Sequence, residues 1–486
     1  MSTLAHKSVF PMVMLFCALI AAVQPLRAQE EPQAPLEDKP KPAGAAPNPI
    51  LLIGMGTQQD QAAEPIPGLE PDMTPLTGVQ TPTLGSPPVL HSYWVPGIQW
   101  SGTPQSNPYI QTPNSGWLMN NYIIGNLSLL KDWSRSQLAV NYSGGSFFST
   151  DSTQGNGSYH QLALSQTFQW NHWSIQLLDQ FSYLPQTSFG FGGGTNLGLP
   201  GTGGSLGPVI PGMGNTYIPN QTIYAAVGSR YSDAGAVQMT YAITPRGSIT
   251  MSGSYGLLNF VESGNVDNNM TTGTIGYNYI LTSKDTFGAF YRFSAYHFSG
   301  QPQAYGNHSP NFAYSRKVTG RLALQLYVGP DFTASRVSTN GNNLTYGVQS
   351  GANLSYGFQN GGVTAGYTHG IAGGSGVLTG SSTDMLNFGA NHKLGRIWSG
   401  QINMGYAHNS PVAGSPQAIT RSFSTWTAGG GLSRALGRNA NFAIAYNATI
   451  TDYGLAGCVG TPCNSGQTFN YVTINFQWQT RPFVLP

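Results

Sequence analysis

Charge is scarce in this sequence. Its 486 residues hold 20 Lys+Arg and 18 Asp+Glu, or 8% charged, against roughly 25% in a typical soluble domain. So little charge excludes a basic nucleic-acid binder, an acidic disordered chain and a coiled coil. Long greasy runs are also missing. Beyond the extreme N-terminus no stretch of about 18 apolar residues occurs, which argues against a helical membrane protein. Only three cysteines are present, too few for a disulfide scaffold. What remains is rich in glycine (63 residues), with Asn, Gln, Ser, Thr and aromatics. A transmembrane β-barrel averages to such a composition, because lipid-facing and lumen-facing residues alternate along each strand.

Residues 1–28 read as a secretory signal. His6 and Lys7 precede the apolar run Val9 to Val23, and Leu26-Arg27-Ala28 offers cleavage before Gln29. Phe16 ahead of Cys17 does not fit a lipoprotein signal, where a small residue would stand. Without residues 1–28 the chain has 18 bases and 18 acids, unevenly spread. Residues 29–72 hold eight acids and two bases, while 73–486 hold ten acids and 16 bases. Residues 29–88 contain 13 prolines. Proline removes backbone donors, so this acidic stretch reads as a disordered periplasmic segment, spacer or plug. The barrel is expected over residues 89–486.

From residue 120 the side-chain period is two. Val237, Met239, Tyr241 and Ile243 share one parity, as do Ile275, Tyr277, Tyr279 and Leu281, and Leu322, Leu324, Leu326 and Val328. The opposite parity is mostly Ser, Thr, Asn, Gln and Gly. Runs of about 9–13 residues suit tilted strands that cross a bilayer. Short turns, such as Thr244-Pro245-Arg246-Gly247 and Thr282-Ser283-Lys284-Asp285, alternate with long polar loops near 143–157, 184–220, 259–269, 299–310, 329–343, 370–383, 407–420 and 451–466. Short periplasmic turns opposite long outer loops are the outer-membrane pattern, whereas a β-sandwich does not sort its connections so regularly. The fold class is therefore all-β: an antiparallel up-and-down transmembrane barrel. Seventeen strand candidates follow residue 120. An even count requires one earlier strand, in His91–Trp100 or Asn107–Thr112, giving 18 strands, with 16 the next choice.

Three segments carry a likeness: Gly253–Phe260 (GSYGLLNF), Gly276–Phe287 (GYNYILTSKDTF) and Ser315–Leu322 (SRKVTGRL). With them the chain resembles bacterial outer-membrane β-barrel proteins of the porin-like kind, and in particular uncharacterised acidobacterial barrels. Such relatives imply no known activity. Tyr471 to Trp478 looks like their aromatic C-terminal insertion signal, although Val484-Leu485-Pro486 follow Phe483. The resemblance implies outer-membrane lipid and the barrel-assembly machinery as partners. A homo-oligomer stays open.

Few side chains suggest chemistry. Cys458 and Cys463 share the last long loop and read as a disulfide in an oxidising compartment. The histidines form no ligand cluster, and His160, His369 and His392 read as packing near strand ends. No catalytic motif, metal site or cofactor motif appears. Two strand charges stand out as pore-lining candidates. Arg292 has parity opposite to Phe287, Ala289, Tyr291 and Phe293, so it should face the lumen. Asp179 shares parity with Ile175, Leu177 and Phe181, which would aim it at lipid. A bulge near Leu177-Leu178 would turn it toward a constriction; a rim residue paired with a neighbouring strand is the alternative. The sequence thus leads to a non-enzymatic channel for passive diffusion of small, neutral polar solutes, with loop 184–220 as constriction. The alternative is a surface glycan-binding or exopolysaccharide-export barrel.

Overall fold

The computed structural model describes residues 92–106, 117–150, 156–184, 190–191, 223–224, 229–261, 266–299, 303–337, 341–373, 380–412, 422–437, 439–452 and 466–485. The leader, the Pro-rich segment, most of the 184–220 loop and the Cys458/Cys463 loop lie outside the described residues.

Eighteen long strands form one wall. They are β1 (Tyr93–Ser106), β2 (Trp117–Trp133), β3 (Ser136–Ser149), β4 (Gly157–Gln169), β5 (Trp173–Leu184), β6 (Arg230–Thr244), β7 (Gly247–Phe260), β8 (Asn268–Ile280) and β9 (Asp285–Phe298). They continue as β10 (Gln303–Lys317), β11 (Leu322–Val337), β12 (Gly341–Phe358), β13 (Gly361–Ala372), β14 (Ser381–Lys393), β15 (Trp398–Pro411), β16 (Phe423–Leu436), β17 (Ala440–Asp452) and β18 (Gly466–Gln479). Each pairs antiparallel with its sequence neighbours. β1 also pairs with β18, through Gly97↔Gln479 to Gln105↔Tyr471, and this seam closes the barrel. Two further pairs, Tyr93↔Val484 and Trp94↔Phe483, extend the seam. Closure removes the exposed edges that an open sheet would present. The even strand count matches the sequence expectation, and the earlier strand is Tyr93–Ser106.

Connections sort by end. At one rim the turns are short. Gly395 and Gly437 take positive φ there (95° and 75°), a conformation that glycine adopts without steric cost. In another, the Thr282 hydroxyl accepts from the Lys284 and Asp285 backbone N–H groups (3.1 and 3.0 Å) and donates to the Asp285 carboxylate (2.7 Å). β1 begins and β18 ends at this same rim. At the other rim several strands run further than the alternation suggested. Gln303–Pro310 and Gly341–Asn343, expected in loops, belong to β10 and β12.

The outward face is greasy. Ile275, Leu326, Val348, Leu354, Ile402 and Met404 are all exposed on it. Aromatic contacts frame this band. Near the short-turn rim Trp173 meets Tyr241 (4.4 Å), Phe287 meets Tyr314 (4.9 Å) and Trp94 stacks on Phe483 (4.9 Å). Toward the other rim Tyr406 meets Trp426 (4.3 Å) and Phe332 meets Tyr346 (5.9 Å). On β12 the two belts are marked by Tyr356 and Tyr346. About ten residues at ~3.3 Å, tilted ~40°, span roughly 25 Å, the height of a barrel's apolar band.

One place in the wall is tight. Between β10 and β11 the ladder lapses from His308↔Phe332 to Phe312↔Val328, around Pro310, which has no N–H to give. The strands press together there, so a Cβ on Gly329 would run into the Pro310 carbonyl and the Asn311 backbone. Gly329→Val is expected to cost about 1–3 kcal/mol by overpacking. Urea unfolding in lipid vesicles measures it.

Candidate functional site

The inward face is polar. Gln99, Ser101, Thr103, Asn120, Thr250, Thr274, Asn409, Thr425, Thr473 and Asn475 are all buried on it. Several bond one another across strands, as Thr383 Oγ1 does to Asn409 Oδ1 (2.8 Å) and Asn278 Nδ2 to Thr250 Oγ1 (3.2 Å). Others have no protein partner. Ser101 Oγ, Thr103 Oγ1, Asn120 Oδ1, Thr473 Oγ1 and Asn475 Oδ1 are buried and unbonded, and they lie on the adjacent strands β18, β1 and β2. Buried polar atoms are almost always satisfied, so this row stands out in the inward wall. Beside it stands an aromatic cluster of Tyr122, Phe147 and Tyr159 with Ile124. The Tyr122 ring centroid lies 5.1 Å from Phe147 and 6.4 Å from Tyr159.

Charges in this wall are few. Among the described residues the buried ones are Arg230, Arg292 and Asp331. Arg292 is 7% exposed and lies 5.4 Å above the Phe290 ring and 6.0 Å from Tyr327. It attracts Asp331, two strands away. The Asp331 carboxylate accepts from Asn307 Nδ2, which also donates to Thr333 Oγ1 (2.9 Å). Arg292 thus sits where its parity placed it, on the inward side. Asp331 was hidden from sequence reading, because residues 329–343 look like a loop. Its odd-numbered parity with Thr333 and Ser335 was the available signal.

Asp179 lies on the opposite side. β5 pairs with β4 and β6 without interruption, with Leu164↔Asp179↔Gly235 in register. No bulge turns the strand, so Asp179 faces outward with Ile175 and Phe181 rather than into the pore. Asp233 of β6 lies diagonally across the ladder on the same face, two residues from Gly235, and the two carboxyl groups interact. Asp179→Asn is expected to leave stability within about 0.5 kcal/mol. Asp179→Lys should lower it by up to about 2–4 kcal/mol, depending on depth. Vesicle-based urea titration distinguishes the two.

The mouth at the rim opposite the short turns is partly crossed. β12–β13 pairing stops at Ser350↔His369, whereas β13–β14 pairing continues to Ala372↔Ser381. Freed from β12, the end of β13 folds inward. Tyr296 donates to the Ile371 carbonyl (2.8 Å), and Asn268 Nδ2 to the Gly373 carbonyl (3.0 Å). β9 and β13 stand four places apart, roughly 19 Å along the wall at ~4.8 Å per strand, so these bonds cut across one side of the mouth. Gly380, at φ 81°, lies against the Tyr305 and Phe298 rings. Tyr296, Phe298, Tyr305 and Val412 form a buried cluster beneath. In the loop before β8, burial raises the Asp267 carboxyl above its ordinary pKa, partly offset by the Phe260 N–H that it accepts. The constriction expected from loop 184–220 lies outside the described residues, except for the short pairing of Gly190–Phe191 with Ile223–Tyr224.

The outward histidines pack in the distal aromatic belt. His160 bonds the Tyr142 hydroxyl (3.0 Å), His308 the Tyr291 hydroxyl (2.5 Å) and His369 the Asp384 carboxylate (2.8 Å). His392, near the short-turn rim, meets the Phe358 ring at 5.5 Å. Among the described residues no three His, Cys, Asp or Glu side chains group as metal ligands.

A closed antiparallel wall with an apolar outer band, aromatic belts and a polar interior defines a transmembrane β-barrel. Comparison with solved structures finds barrels of that architecture at low similarity. The outer membrane protein opdK of Pseudomonas aeruginosa is 8% identical with a TM-score of 0.41, covering 80% of this chain and 99% of its own. Pseudomonas aeruginosa OpdQ is 7% identical at 0.39, covering 81% and 98%. A BenF-like porin from Pseudomonas fluorescens Pf-5 is 9% identical at 0.40, covering 81% and 98%. No protein-family model and no curated protein matches the sequence. Likeness this distant assigns neither a solute nor a residue role.

Proposed function

We propose that this protein is an outer-membrane, porin-like channel for passive diffusion of small, neutral polar solutes, with no chemical step of its own. The observation that carries the reading is the inward wall: mostly amides and hydroxyls, interrupted by aromatic patches, with Arg230, Arg292 and Asp331 as the buried charges among the described residues. An 18-strand wall is wide enough to leave an aqueous lumen. Few fixed charges disfavour strong ion selection, and hydroxyls and amides match solutes that carry the same groups. In this reading the rim where β1 begins and β18 ends faces the periplasm, as short turns do in outer-membrane barrels, and the Pro-rich segment that precedes β1 is a periplasmic one.

Planar-bilayer conductance and liposome swelling test this. Purified protein should give discrete conductance steps, and vesicles should swell faster with small neutral sugars than with sugar acids of equal size. A barrel that conducts nothing and passes no sugar overturns the channel. Saturable polysaccharide binding by such a closed barrel would instead favour the glycan-binding reading.

A further inference from the structure

The outward wall from β14 to β18 is not smooth. Two neighbouring ladder rows each lack one side chain. The first row reads Ala390, Ile402, Gly430, Tyr446, Val472 across five strands, each residue directly opposite the next. The second reads His392, Gly400, Leu432, Ile444, Ile474. Gly430 and Gly400 sit diagonally in these rows. A Cβ on Gly430 would meet only the Gln401 carbonyl, at 3.6 Å, whereas one on Gly400 would touch the Leu394 and Leu432 side chains at 3.2 and 3.4 Å, so the open space centres on Gly430 and those leucines wall its Gly400 end. Around the two glycines lies a cavity of about 670 Å³, bounded by Phe358 and His392 at one end and Tyr446 and Val472 at the other. Its walls are almost wholly apolar, and it opens toward the membrane.

The next row toward the short-turn rim carries a cation. Arg434 stands between Trp398 and Phe442 in register, with its guanidinium 5.4 Å from the Trp398 ring. It is exposed on the same outward face. Lys393 ends β14, and Arg396 lies in the adjoining β14–β15 connection. An apolar slot ending at an outward arginine is complementary to one kind of molecule that a bilayer supplies: an acyl chain joined to a phosphate. Arginine suits that headgroup, because its planar fork binds phosphate oxygens in pairs and stacks on an aromatic ring.

We propose that this groove is a specific site for an anionic phospholipid of the leaflet at the short-turn rim, with an acyl chain over Gly430 and Gly400 and the phosphate at Arg434. The proposal rests on the barrel's membrane setting alone; its failure would leave the conductance of the channel untouched.

Full-length protein reconstituted into phosphatidylethanolamine vesicles with a minority of phosphatidylglycerol, then re-extracted in mild detergent, provides the test. Native mass spectrometry counts the lipid that each chain keeps. The wild type should keep phosphatidylglycerol, enriched severalfold over its share of the vesicle. Gly430→Leu, which fills the slot, should lose most retained lipid. Arg434→Gln should keep lipid but lose the enrichment. Gly273→Leu, at an outward glycine on another arc with open space around its Cβ, should behave as wild type. Folding is checked by the heat-dependent gel shift of an intact barrel. Retention of the two lipids in their bulk ratio by the wild type overturns the site, as does unchanged retention in folded Gly430→Leu. If Gly430→Leu does not fold, Arg434→Gln decides: enrichment that persists without the arginine refutes it.

Discussion

Arg292→Ala is expected to destabilise the barrel and tilt its ion preference toward cations. The guanidinium lies buried over Phe290 and beside Tyr327, and it attracts Asp331. Truncating this buried side chain removes its packing on both rings, at a cost of about 0.5–3 kcal/mol. The second effect follows from the same loss. Asp331 stays in the inward wall with its Asn307 partner and without the attraction of the guanidinium. Reversal potentials across a salt gradient in planar bilayers should shift toward cation selectivity. Asp331→Asn should shift them the other way while keeping the Asn307 contact. If both variants match the wild type, the pair does not line the conducting path.

Tyr296→Ala should open the outer mouth. The ring is buried among Phe298, Tyr305 and Val412, and its hydroxyl holds the Ile371 carbonyl. Truncating a large buried aromatic costs about 3–5 kcal/mol where the site collapses poorly. Part of that loss is local, because the tip of the β13–β14 hairpin has no β12 partner beyond His369. Single-channel conductance should rise, and larger neutral sugars should enter in the swelling assay. Tyr296→Phe removes only the hydrogen bond, so it should give a smaller change of the same sign. An unaltered exclusion limit in a folded Tyr296→Ala barrel would show that the hairpin does not narrow the passage.

The wall was legible in the sequence because a period of two is a direct imprint of its two faces. Wherever lipid lies outside, as along Leu322–Val328 or Ile275–Leu281, the outward parity is apolar and the strand declares itself. Above the bilayer that contrast vanishes. Gln303–Pro310 is a strand whose outward residues meet no acyl chains, so its composition is that of a loop. Asp331 and the β13–β14 crossing were hidden for this reason. Arg292 could be oriented because its strand is flanked by Phe287, Tyr291 and Phe293. Asp179 shows the reverse: its parity was plain, but its partner Asp233 lies on the far side of a long connection. No local pattern reports a contact made through register. The groove at Gly400 and Gly430 is of the same kind, since each glycine looks ordinary until five strands are aligned.

The hairpin over the mouth also sets an order of assembly. Asn268 and Gly373 are 105 positions apart in sequence. Closing so long a loop carries an entropy cost, and contacts of large sequence separation form late. Nothing nearby holds the tip of β13 inward until β8 through β13 stand side by side. The wall must therefore zip up first, and only then can the mouth narrow. A chain halted before closure would present a wide opening, and the tyrosine at position 296 would be among the last side chains to lose water.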